Sequence, residues 1–235
     1  ACAAVGALLS ALTKRGAVAW GIALIATVLT LAATIGLLGH VLHDGVISYE
    51  IGGWAPPIGI EYRVDMANAL VILIVATIAT VIMPYARVSV AKELAADQQA
   101  WFYTMYMLCV AGLIGIAVTG DAFNAFVFLE VSSLATYTMI ALGQSRRSLL
   151  SAYQYLIMGT IGATFYIIGV GLLYVVTGTL NFADLATKLG PAMATHNKPI
   201  LAAMAFMTVG ISLKLALFPL HVWLPNAYAY APSFA

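Results

Sequence analysis

The chain has 235 residues, of which 63% are apolar and 8% charged, with ten Lys and Arg set against nine Asp and Glu for a formal net charge of +1. A soluble domain carries about 25% charged residues, so this composition excludes a cytosolic enzyme. The absence of a basic excess excludes a nucleic-acid binder, and the apolar content excludes a disordered tail. The charges cluster between long runs that lack them, which marks a polytopic membrane protein.

A hydrocarbon core about 30 Å thick takes about 20 apolar helical residues to cross. Six stretches meet this: Ala17 to Leu42, Met66 to Ala86, Gln98 to Gly120, Ala122 to Ser145, Leu149 to Thr177 and Pro199 to Leu224. Helix is the expected form of each, because the runs are long and continuous while barrel strands are short and alternating. Ala1 to Thr13 is apolar but too short to cross. Lys14 and Arg15 follow it instead of preceding it, the reverse of a signal peptide, so it reads as the end of a helix whose beginning is missing. Pro232 to Ala235 stops without a charged tail, and the expectation is a fragment. Lys14, Arg15, Arg87, Lys92, Arg146 and Arg147 fall on one side of the membrane, and Arg63, Lys188 and Lys198 on the other. That bias places the first group in the cytoplasm and the loop 43–65, with its four acids, outside.

Between the runs, Arg87 to Gln98 predicts a short surface helix, and Asn181 to Asn197 a polar external connection. Thr119-Gly120-Asp121 predicts a tight outer turn in which Asp121 caps the following helix. Gly159, Gly162, Gly169 and Gly171 predict close helix packing. Cys2 and Cys109 lie in apolar runs without paired spacing, so neither a disulfide nor a CxxC metal site is expected. His40 and His43 read as interfacial residues beside Asp44 and not as metal ligands. No strand is expected, and no motif for a nucleotide, haem or iron–sulfur cluster is present, so the chain brings no cofactor of its own.

Two charges lie inside the spans. Glu130 is nine residues past Asp121, about 13 Å along a helix, and Lys214 is fifteen residues past Pro199. Each isolated charge at such depth costs roughly 2.5–3.5 kcal/mol on insertion scales. Each therefore needs a partner, a wet cavity or a change of protonation. Three readings stay open: a proton-handling pair, a static ion pair between helices, and separate roles. Pro219 follows Lys214 by five residues and removes a helix hydrogen bond. A helix broken there can line a hydrated path, along which His221 supplies a group titrating near neutrality. The alternative is a packing kink with His221 and Trp223 as interfacial anchors. Ser212, Thr208, Thr160, Thr164, Tyr153 and Tyr155 are weaker candidates for hydrating that path.

Thr119-Gly120-Asp121-Ala122-Phe123-Asn124-Ala125-Phe126-Val127-Phe128-Leu129-Glu130, followed by Lys214-Leu215-Ala216-Leu217-Phe218-Pro219-Leu220-His221-Val222-Trp223-Leu224-Pro225, resembles the proton-conducting antiporter-type subunits. These unite the Mrp cation/proton antiporters with the membrane arms of respiratory complex I and energy-converting hydrogenases. The stretch Gly52 to Ile60 resembles the D-type branch of the Mrp antiporters. The resemblance implies an all-α polytopic membrane protein, the N-terminal half of a 14-helix fold with inverted repeats and a broken seventh helix. In that plan residues 1–98 hold helices one to three and residues 99–235 an incomplete first repeat, helices four to seven. It further implies that Glu130 and Lys214 form a pair gating proton movement, with His221 passing protons. The implied setting is a multi-pass subunit of the plasma membrane, in contact with the lipid bilayer and other subunits of a multisubunit complex. It would exchange protons against a monovalent cation, Na⁺, or pump protons in a redox-driven complex; a non-conducting scaffold is the third possibility. Asn226 and Tyr228 depart from the family's Leu-Pro-Asp-Ala-His ending, which removes an acid and an imidazole from any relay through that turn.

Overall fold

The computed structural model describes residues 1–13, 15–143 and 145–233, so Lys14 of the orientation argument lies outside the described residues. In chain order the elements are α1 (Cys2–Ala11), α2 (Gly16–Asp44), β1 (Ile47–Glu50), β2 (Glu61–Val64), α3 (Met66–Glu93) and α4 (Gln99–Val118). They continue with α5 (Ala122–Ala141), α6 (Arg146–Thr177), α7 (Phe182–Thr195), α8 (Asn197–Lys214) and α9 (Trp223–Tyr230). Five helices, α2 to α6, are long and apolar enough to cross a membrane. Six spans were expected, the last of them broken near Pro219. The sixth stops at Lys214 and resumes as α9.

Because lipid is as apolar as leucine, packing between membrane helices favours small residues, and the described core follows that rule. The buried side of α2 is Ala19, Ala23, Ala26, Thr27, Thr30 and Thr34, while Ile25, Val28, Leu29 and Ile35 face outward. Large side chains such as Phe102, Met83 and Met107 fill the seams that the alanines leave. The closest approach is between α6 and α8. A Cβ on Gly210 would lie 2.6 Å from the Gly162 carbonyl oxygen and 2.7 Å from the Tyr166 nitrogen. Gly159 and Gly169 are likewise filled by neighbours, but Gly171 faces open space, so its expected packing role does not hold.

Three connections differ from expectation. The loop 43–65 contains a two-stranded antiparallel hairpin, Ile47 opposite Val64 and Glu50 opposite Glu61, where no strand was expected. Gly52 and Gly53, at φ 70° and 75°, make the turn that a residue with a Cβ would strain. The connection 181–197 is mostly helix α7, capped by the Asn181 side chain, which accepts from the Ala183 and Asp184 amides. Residues 87–93 are not a separate surface helix; they continue α3 past Pro84. That continuation is held from outside the helix. The Tyr106 hydroxyl donates to the Ala79 carbonyl at 2.9 Å, and the Trp20 indole donates to the Met83 carbonyl at 3.0 Å.

The three connections at this end of the helices are tied together. The Gly120 amide donates to the Glu61 carbonyl, the Ala122 amide to the Leu180 carbonyl and the Phe182 amide to the Gly120 carbonyl, each at 2.8 Å. Asp121 caps α5 as expected, its carboxylate accepting from the Asn124 amide at 2.7 Å. The N-terminal end of α5 is therefore fixed in place.

Candidate proton-transfer site

Helix α5 carries Glu130 to its middle, away from that fixed N-terminal end. Helix α8 runs beside α6 through the Gly162–Gly210 contact and ends at Lys214. The amides of Leu215, Ala216 and Leu217 still donate back to Ile211, Leu213 and Ser212, but Pro219 has no N–H to continue the ladder. Ala216 turns the chain out of the helix at φ 52°, a left-handed conformation that costs an alanine about 1–2 kcal/mol. Surrounding contacts hold that break. The buried Trp223 indole, the first residue of α9, donates to the Leu213 carbonyl at 3.1 Å, across the gap. Its ring stacks on Tyr155 at 3.9 Å, and Tyr155 meets Tyr137 edge-on at 4.4 Å.

At the end of α8 the Lys214 ammonium donates to Glu130 Oε1 at 2.7 Å and to Ser133 Oγ at 2.9 Å. The two charged side chains are 11% and 22% exposed, so the pair is largely shielded. Ser133 did not stand out in the sequence, although its place three residues after Glu130 puts it on the same face of a helix. An apolar cavity of about 80 Å³, bordered by Phe126, Leu129, Ala163 and Tyr166, lies against Lys214.

His221 lies in the unwound stretch with its ring 5.5 Å from that of Phe218. Its Nδ1 is buried without a hydrogen-bond partner among the described residues. No hydrogen bond or ion pair joins it to Glu130 or Lys214 among the described residues. Thr160 and Thr164 are exposed and bond their own helix backbone, and Tyr153 is exposed, so these three are not gathered at the site. Asn226, where the resembling family has an acid, donates to Gln154 at 3.1 Å. His40 pairs with Asp44 at 2.7 Å.

A second buried acid, not singled out from the sequence, is Glu61 on β2. Its carboxylate accepts from the Ser48 hydroxyl at 2.6 Å and from the Asn181 amide at 2.9 Å. The Ser48 bond, followed by the Asn181 bond, holds the carboxyl below the ordinary glutamate value against the opposing effect of burial. Among the described residues no group of three His, Cys, Asp or Glu side chains is placed to hold a metal ion.

Residues 119–234 match the family described as NADH:quinone oxidoreductase/Mrp antiporter, TM. Over 185 residues, 79% of this chain and 36% of the relative, the sequence is 45% identical to the N subunit of the NADH-quinone oxidoreductase of Desulforudis audaxviator. Over 229 residues, 97% of this chain and 45% of the relative, it is 32% identical to the D subunit of the Na(+)/H(+) antiporter of Alkalihalophilus pseudofirmus. The fold is similar to a chain of the membrane-bound sulfane sulfur reductase, an archaeal respiratory membrane complex. That match has a TM-score of 0.88 and 29% identity, and covers 98% of this chain and 46% of that one. The chain thus spans less than half the length of the relatives it matches.

Proposed function

Because the chain belongs to the NADH:quinone oxidoreductase/Mrp antiporter family of membrane proteins, we propose that it is a proton-translocating part of a multisubunit monovalent cation/proton antiporter. Glu130, Lys214 and His221 carry the proton, Na⁺ is the exchanged cation, and sister subunits complete the machine. The observation that carries this reading is the Lys214–Glu130 contact of 2.7 Å at the end of a broken helix. A buried ion pair returns in attraction about what it costs to desolvate, so stability alone gives little reason to keep one. An opposite charge favours the ionised form of a buried amine and burial alone disfavours it. A Lys–Glu pair that opens and closes therefore takes up and releases a proton. His221, with an unengaged ring nitrogen in the unwound segment, is placed in sequence to receive that proton. The likeness to the Desulforudis audaxviator relative favours a second reading, in which the same pair pumps protons in a redox-driven complex.

The test uses the complete complex in inverted vesicles, with a pH-sensitive dye. On the leading reading, added Na⁺ collapses a preformed proton gradient, and Glu130→Ala or Lys214→Ala abolishes the response. Pumping driven by NADH with no Na⁺ response transfers the assignment to the second reading. Full activity in both variants refutes a proton role for the pair.

A further inference from the structure

One buried polar group near the pair has no part in the reading above. Tyr137 follows Glu130 and Ser133 on the same face of α5, seven residues and about 10 Å nearer the inner end of that helix. It is 5% exposed, and its hydroxyl forms no hydrogen bond of normal geometry with any described residue. A buried, unpaired hydroxyl costs about 1–3 kcal/mol, so its persistence calls for an explanation. The neighbouring helix makes room for it. A Cβ on Gly159 of α6 would fall 1.7 Å from the Tyr137 oxygen. Glycine within a helix costs about 0.5–1 kcal/mol relative to alanine, and phenylalanine at 137 would not need the space the oxygen occupies.

Ser133 lies one turn before Tyr137 on the same face of α5; its oxygen accepts from Lys214 at 2.9 Å, which leaves its own O–H free to donate. The stacked rings of Tyr155 and Trp223 hold the Tyr137 ring edge-on, which leaves the hydroxyl as its one polar end. The alternative inner route, through the first turn of α9, is occupied by the Asn226–Gln154 bond. Neither of those amides titrates.

Resting on the proton reading above, we infer that Ser133 and Tyr137 form the inner relay of the site, carrying protons between Lys214 and water at the inner boundary. In one transfer, the Lys214 N–H proton passes to the Ser133 oxygen while the Ser133 proton passes to the Tyr137 oxygen. The original Tyr137 proton leaves to water once rotation of the ring exposes its hydroxyl, which is buried in this state. Each hydroxyl ends with one proton, Lys214 ends neutral, and rotation of the two hydroxyls resets the chain. Because the Ser133–Tyr137 link is not made at normal hydrogen-bond geometry in this state, rotation of these side chains opens and closes the route.

The experiment measures proton flux per assembled complex, in vesicles containing the complete complex. Tyr137→Phe keeps the ring and its stacking and removes only the oxygen. The expected result is at least roughly a hundredfold slower flux, the lower end of the range lost when a proton-transfer group is removed, with unchanged assembly. Ser133→Ala is expected to give a similar loss, and the double variant no further loss, because the two groups act in series. Wild-type flux in Tyr137→Phe, with Glu130→Gln and Lys214→Met inactive, overturns the relay and leaves the pair reading standing. Normal flux in Glu130→Gln and Lys214→Met overturns the pair reading, and the relay falls with it.

Discussion

Replacing both members of the Glu130–Lys214 pair is expected to cost less stability than replacing either one. At 2.7 Å and an effective dielectric constant of about 20, two unit charges attract by about 6 kcal/mol. Withdrawing each from water costs several kcal/mol, so the intact pair adds close to nothing in net terms. A single replacement removes the attraction and leaves one charge shielded without its partner, at a cost of about 3–5 kcal/mol. Lys214→Met and Glu130→Met should each lose about that much, whereas the double variant should fall within about 1 kcal/mol of the parent, all three without proton flux. The assay is a denaturant titration of the complete subunit in mixed micelles, followed by tryptophan fluorescence. Trp223 reports on the relevant region, since its indole is bonded to the residue before Lys214. If the double variant loses as much as either single one, the pair is a structural fastener and its proton role loses the energetic ground given for it; a loss equal to the two singles together would mean that the two side chains do not interact.

Gly210→Ala should destabilise the α6–α8 contact by about 2–3 kcal/mol, because the atoms its Cβ would meet, the Gly162 oxygen and the Tyr166 nitrogen, are backbone and cannot rotate aside. Gly171→Ala, which points into open space, should be neutral or stabilising by up to about 1 kcal/mol in the same titration; equal effects at the two positions would refute the close-approach argument. Glu61 sets a pH dependence at the hairpin end of the helices. Its carboxyl, held low first by Ser48 and then by Asn181, adds stability above its unfolded value, near 4.5, and that stability is lost as pH falls through the lowered folded value. Hydrogen-exchange protection of the Gly120, Ala122 and Phe182 amides should therefore drop on acidification below about pH 4, and Glu61→Gln should remove the dependence; protection unchanged by acid in the parent would show that the carboxylate is not the clasp.

Features carried by a local pattern could be read from the sequence. Asp121 before an apolar run announced a cap, and Pro219 announced a break because its missing N–H acts within one turn. Glu130 and Lys214 stood out because a charge inside an apolar run is rare, but their meeting across 84 residues was carried by no local signal. Glu61 was hidden for the same reason. It is one of four acids in its loop, and its distinction comes from Asn181, 120 residues away. Helix α7 was obscured by Gly190 and Pro191, which read as loop residues, although Phe182, Leu185, Leu189 and Ala192 mark one helical face. The hydroxyl of Tyr137 could not be told from any other aromatic in a membrane helix, because its meaning rests on the glycine opposite it in α6.

The two partners of the ion pair are mounted differently, and this decides which of them can leave. Glu130 projects from a continuous helix whose N-terminal end is capped by Asp121 and bonded to both neighbouring connections. Moving it means breaking several amide hydrogen bonds at once, each worth about 0.5–1.5 kcal/mol in net terms. Lys214 stands at the last residue of α8, and the chain beyond it crosses the gap through Ala216 and Pro219 with exposed Leu215, Leu217, Phe218 and Val222. Among the described residues the Trp223 indole bond ties α9 to that end, while its ring stacked on Tyr155 and the Asn226–Gln154 bond tie it to α6. An 80 Å³ apolar cavity also lies against Lys214. The low-energy way to part the charges is therefore to move the lysine and the break behind it, with α5 acting as the fixed frame. Such a movement has to stretch or release the indole bond of Trp223 to the Leu213 carbonyl.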